Sequence, residues 1–159
     1  MNAGRILATM ALLAGATTAS AQTATQNVTI QVNAINQIAV TGGAQSLTIS
    51  TATAGGNPTD ATASTSWAVT TNQSNQKVTA SINSAMPANV TLSVALAQPT
   101  GATSAGTVAL GTGAVDVVTG ISTLAESGLG VTYTLSATTA AGVVASTTRT
   151  VTYTITAGP

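Results

Sequence analysis

The sequence predicts an all-β protein, an antiparallel sandwich of two sheets. Three observations carry this. Apolar residues recur at every second position in run after run, the pattern of strands with one face buried. About a fifth of the residues are threonine, whose β-branched side chain suits the pleated surface of a sheet. Gly, Pro and Asn separate the runs at short intervals, the spacing of small sandwiches and barrels.

In chain order, the first element is an address. Met1–Ala21 reads as a secretory signal peptide: Arg5 is the positive start, Ile6–Ala16 the apolar stretch, and Ala19-Ser20-Ala21 the small-x-small site. At about 1.5 Å per residue that apolar stretch is too short to span a bilayer of ~30 Å. Cleavage is expected before Gln22, leaving 22–159 as one β-sandwich domain, secreted to the medium or cell surface, with the periplasm also open. No later segment is long and apolar enough to cross a membrane, so no membrane insertion is expected after cleavage.

The runs follow. Val28, Ile30, Val32 and Ala34 share one face of a strand. Ile38 and Val40 resume the phase after a break at Asn36, and Leu47 and Ile49 alternate before the turn Gly55-Gly56-Asn57-Pro58. Trp67 and Val69 come next, then Val78, Ala80 and Ile82, ending near Met86-Pro87. Val90, Leu92, Val94 and Leu96 run up to Pro99, and Val108 and Leu110 make a short strand. Leu129, Val131, Tyr133 and Leu135 alternate, as do Val151, Tyr153 and Ile155. One stretch departs: Ala114–Leu124 has Val117, Val118, Ile121 and Leu124 at near-helical spacing and reads as a short helical turn or a crossover. Seven to nine strands make an immunoglobulin-like sandwich with Greek-key connections. Its expected core is Trp67, Val69, Leu92, Val94, Tyr133, Leu135, Tyr153 and Ile155.

The leader, the opening segment NVTIQVNAINQIAV, the lone Trp67 and the closing strand TRTVTYTIT together resemble bacterial secreted immunoglobulin-like surface proteins. The resemblance extends to fimbrial and filament subunits that assemble by donating a strand. It implies an extracellular structural or adhesive role. It departs from fimbrial subunits in having no cysteine for their disulfide, and the closing strand reads as complete.

Composition narrows the function. Of 159 residues, 3 are basic and 3 acidic, with no histidine or cysteine. A neutral chain lacks the field that draws nucleic acid or anionic membranes. Without cysteine there is no disulfide and no thiol chemistry. Without histidine there is no Ser-His-Asp arrangement, and zinc loses both favoured ligands. The mature acids Asp60, Asp116 and Glu126 are far apart in sequence and read as solvated carboxylates rather than a catalytic pair. Ser74 to Lys77 fits S-x-x-K without its partner motifs. Gly101, Ser104 and Gly106 have the wrong spacing for a nucleophile elbow, and Gly128-Leu129-Gly130 reads as a turn opening a strand. No catalytic residue, cofactor or metal is expected, and the protein is not read as an enzyme. Asn27, Asn72 and Asn89 head N-x-S/T sequons. Thr150, Thr152, Thr154 and Thr156 form one face of the last strand, which reads as ordinary exposed strand chemistry before it reads as an ice- or mineral-binding array.

The remaining clue is the charge that is missing. Sheet edges are normally protected by Lys, Pro or bulges, yet the mature chain has only Lys77 and Arg149 as cations. Such edges favour association. The expected partner is therefore the chain itself, in a filament, matrix or surface layer. Asn27–Ala34 reads either as an ordinary first strand or as a strand donated to a neighbour through Val28, Ile30, Val32 and Ala34. The alternative is a monomeric adhesion or ligand-binding module using loops at one end of the sandwich.

Overall fold

The computed structural model describes residues 20–159. The expected signal peptide, residues 1–21, therefore lies outside the described residues except for Ser20 and Ala21. Contacts divide the chain between Val32 and Asn33, and among the described residues every strand falls within Asn33–Pro159. The strands are β1 (Asn36–Val40), β2 (Ala61–Thr71), β3 (Gln76–Ile82), β4 (Val90–Leu96), β5 (Thr103–Ser104), β6 (Val108–Ala109), β7 (Val115–Ile121), β8 (Leu124–Ala137) and β9 (Val151–Ala157). One 3₁₀ turn, Thr139–Ala141, follows β8.

The strands form two antiparallel sheets. One has the order β1-β2-β8-β4-β6, the other β5-β7-β3-β9. From β2 onward each successive strand lies in the other sheet, so β1 and β2 are the one pair of consecutive strands that are neighbours. The class predicted from sequence, all-β with antiparallel sheets, is what the chain adopts.

Alternation explains which faces meet. β3 buries Val78, Ala80 and Ile82, while β4 buries Leu92, Val94 and Leu96. Trp67 and Val69 come from β2, Val131 and Tyr133 from β8, and Val117, Val118 and Ile121 from β7, all joining one cluster. Trp67 is fully buried and donates its indole N–H to Ala97 O at 3.1 Å, just past the end of β4. Of the expected core, Trp67, Val69, Leu92, Val94 and Tyr133 are buried. Tyr153 and Ile155 are half-buried against the cluster because β9 is an edge strand. Leu135 lies outside the cluster and lines a groove instead.

Four readings of the sequence are corrected. Ala114–Leu124 is not helical: Val115–Ile121 is β7 and Leu124 opens β8. Its period was hidden by irregular register, since Val78 opposes Val118 while Thr79 opposes Asp116. The extra residue on β7 turns the neighbours Val117 and Val118 both inward, as a β-bulge does. Gly128-Leu129-Gly130 is not a turn but part of β8. There the register against β2 slips between Trp67 and Val69, and Gly128 takes φ +71°, which glycine adopts without steric penalty. Leu47 and Ile49 alternate as a strand would, but no ladder includes them, and the nearest pairing is the bridge Ala52–Pro58. The alternating residues Val28, Ile30, Val32 and Ala34 likewise belong to no strand.

Burial, reinforced by the hydrogen bond its hydroxyl donates to Tyr133 Oη at 2.9 Å, pushes the Tyr153 phenol well above the usual tyrosine range. A folded-state pKa raised above the unfolded value of about 10 gives full stability below that pH and a loss above it, as the unfolded chain ionises first. We expect the urea midpoint to fall as pH rises past about 10, and to fall less steeply in Tyr153→Phe. An equal slope in both proteins would remove Tyr153 as the cause. Trp67→Ala should lower stability by about 3–5 kcal/mol in urea denaturation, the range for deleting a buried aromatic side chain.

Candidate assembly surfaces

At one end of the sandwich the chain is fastened by Asn72, which follows β2. Its Oδ1 accepts from the Ile35 N–H at 2.7 Å, and its Nδ2 donates to Asn33 O at 2.8 Å. Its own N–H donates to Ile35 O at 3.2 Å. Beside it Thr71 Oγ1 donates to Asn36 Oδ1 at 2.6 Å, and Asn36 Nδ2 donates to Gln76 Oε1 at 3.1 Å. Thr71 and Gln76 are the buried polar residues of the described chain, and these bonds satisfy them. The clamp sets where β1 begins. Sequence reading took Asn72 as a sequon; its clamp partners lie 37 and 39 residues away, so no local pattern announced them.

Before the clamp, residues 20–32 run without strand, turn or bend. Val28, Ile30 and Val32 are 75%, 88% and 83% exposed. Three large apolar side chains thus stand in solvent on alternate positions of an uncharged segment. Ala34, the fourth residue of that pattern, is also exposed but already lies beyond Asn33.

A groove of about 760 Å³ opens at the other end of the sandwich. Leu135 and Ala137 from the end of β8, Val90 from the start of β4, and Met86 line it. Its two banks are Leu47–Ala52, between β1 and β2, and Gly142–Thr147, between the 3₁₀ turn and β9. Each bank runs without a bend through Leu47–Ser50 and Val143–Ser146. Among the described residues, no hydrogen bond engages the backbone of either stretch. The groove therefore combines an apolar lining with two stretches whose backbone enters no hydrogen bond among the described residues. Arg149, at its margin, is held by Ala85 O through Nε at 3.1 Å and Nη2 at 2.9 Å.

Two edge strands also bear on association, although β1 of the other sheet lies close to β9. β9 pairs with β3 on one side through seven residues, and its sequence VTYTITA has no charge or proline. β6 covers β4 at Ser93 and Val94 alone. Thr150, Thr152, Thr154 and Thr156 are all exposed at β9. Their neighbouring row on β3 includes Lys77, paired with Asp116 at 3.0 Å, so that face is not a pure hydroxyl array.

Glu126, Asp116 and Ser104, considered for chemistry, have structural partners. Both carboxylate oxygens of Glu126 accept from the Thr100 N–H at 3.1 Å. Asp116 holds Lys77, and Asp60 is exposed just before β2. Asp116 and Glu126 lie in different sheets. Ser104 Oγ donates to Leu96 O at 2.6 Å and accepts from the Gly106 N–H at 3.0 Å. Ser74 lies in the turn before β3 and its carbonyl accepts from Gln76. Of the sequons, Asn27 is exposed, Asn72 is the clamp, and Asn89 takes φ +62° and donates to Ala140 O at 3.3 Å.

Asn72→Ala removes both side-chain bonds that fasten Asn33 and Ile35. Hydrogen-exchange mass spectrometry should show protection at 33–36 falling by roughly tenfold, with β3 and β8 unchanged, as expected for local opening. Global stability should drop by about 1 kcal/mol, the value of a partly exposed hydrogen bond. Unchanged protection would mean that the β1 ladder alone fastens the chain.

No family model, curated protein or solved structure matches this chain.

Proposed function

We propose that the chain is a secreted structural subunit of an extracellular filament, matrix or surface layer, in which copies associate by strand-to-strand contacts. The observation that carries this reading is the exposed row Val28, Ile30 and Val32. Burying such side chains stabilises by about 1.5–3 kcal/mol each. An uncharged segment that holds three of them in water on alternate positions has the form of a strand awaiting a sheet. The uncharged edge strand β9 and the near absence of charge support the same reading, because nothing electrostatic opposes contact between copies. Export rests on the leader pattern of residues 1–21.

An immunoglobulin-like Greek-key arrangement belongs with this proposal. It is supported by the neighbours β1-β2-β8-β4 in one sheet and β7-β3-β9 in the other, an order in which strands distant in sequence pair across the sheet. The alternative, a monomeric binding module, has the apolar groove as its specific support.

Light scattering and negative-stain microscopy of the chain beginning at Gln22 separate the two readings. We expect mass to grow with concentration and regular particles to appear. Deletion of residues 22–32, which spares the Asn72 clamp, should leave a monomer with unchanged circular dichroism and unfolding midpoint. A full-length mature chain that stays monomeric at high concentration would falsify the subunit reading.

A further inference from the structure

We infer that the groove beside β8 and β4 binds a single-chain amphiphilic carboxylate in its free form, with the apolar tail against the lining and the head at Arg149. This goes beyond the subunit reading and holds whether or not copies associate. The groove forms where the inward face of one sheet runs past the core. On β8 the inward phase buries Val131 and Tyr133 and continues to Leu135 and Ala137. On β4 it buries Leu92, Val94 and Leu96, while Val90, in the same phase, opposes Ala137 and is half-buried. Leu135 is also half-buried and lies outside the core cluster. Leu47, Ile49 and Met86, each half-buried, complete the apolar lining. Such side chains have apolar area still to bury against a ligand. The groove's volume of about 760 Å³ falls within the roughly 300–1,000 Å³ of small-molecule sites. Every residue of it lies within Asn33–Pro159.

Charge decides the head group. Arg149 is the one charged residue that lines the groove, and no acid lines it. The ion pair between described side chains is Lys77 with Asp116, so Arg149 has no carboxylate partner among the described residues. Neutral acceptors fix its guanidinium instead. Nε and Nη2 donate to Ala85 O at 3.1 and 2.9 Å. Nη1 donates to Thr147 Oγ1 at 2.6 Å and to Thr148 O at 3.0 Å. These bonds orient the guanidinium without cancelling its charge, and they leave an Nη2 hydrogen uncommitted. Thr147 Oγ1 is an acceptor in its bond to Arg149, so its hydroxyl hydrogen remains a donor. A carboxylate at this margin therefore meets a preoriented cation and two donors, the pairing that makes charge-assisted hydrogen bonds strong. A bilayer is a poor match, because anionic membranes are held by clusters of basic residues and the groove has one.

Calorimetric titration of the purified chain with dodecanoate, kept below its micelle concentration, tests this. Dodecanoate should bind, and dodecanol should bind roughly tenfold or more weakly, since it forgoes the charge-assisted hydrogen bonds. Affinity should rise from decanoate to dodecanoate to tetradecanoate, by up to about fourfold for each methylene buried. Arg149→Gln should bring dodecanoate down to the affinity of dodecanol and leave dodecanol unchanged. Arg149→Lys, which keeps the charge, should retain the preference for carboxylate over alcohol. Val144→Asp, at a 42% exposed position of the lining, serves should Arg149→Gln lose its cooperative unfolding. A carboxylate there should weaken dodecanoate roughly tenfold or more. Equal affinity for dodecanoate and dodecanol in the unmodified chain overturns the proposal, as does unchanged binding in Val144→Asp. Co-sedimentation with vesicles of anionic phospholipid, without binding of free dodecanoate, would make a bilayer the partner and also overturn it. Light scattering of the same samples reads association separately, so failure of the subunit reading and failure of this one are distinguishable.

Discussion

Everything in this molecule depends on the contact between the inner faces of its two sheets. No disulfide ties the chain, and the single ion pair between described side chains, Lys77 with Asp116, lies on an outer face. What remains is apolar burial, and Trp67 marks its centre. The indole is fully buried, its strand runs between β1 and β8, and its N–H reaches Ala97 beyond β4. One side chain thus relates three strands of one sheet to the layer beneath. The rest of the cluster is mostly valine, leucine and isoleucine, so shape at this position is set largely by one ring. A core with no Phe and two Tyr has few other large pieces with which to fix how the sheets face each other.

The sequence was legible where a strand buries one face and lies in a regular ladder. β3, β4 and β9 follow the period of two at almost every residue, because each pairs in unbroken register with at least one neighbour. β7 was misread because two register shifts against β3 put Val117 and Val118 on the same side. Periodicity measures facing, and a bulge changes facing without changing class. Gly128 was misread for the related reason that a glycine at positive φ serves a bulge inside a strand as well as a turn. The clamp at Asn72 was not legible, since its partners Asn33 and Ile35 are distant in sequence and their register had to be known first.

The most informative misreadings are Val28–Ala34 and Leu47–Ile49. Both have the alternation of a half-buried strand, and neither belongs to a ladder. Alternation records that a segment has an apolar face. It does not record whether the surface that covers that face belongs to the same chain. Leu47 partly satisfies its face by packing against the core, and Ile49 by lining the groove. Val28, Ile30 and Val32 have no such cover in the described structure. Local pattern and global fold normally agree in a natural sequence, and functional sites are where they part. On the proposed reading, this disagreement and the missing edge charges are one fact. A chain that associates with copies of itself would need uncovered apolar residues and must not repel its own kind.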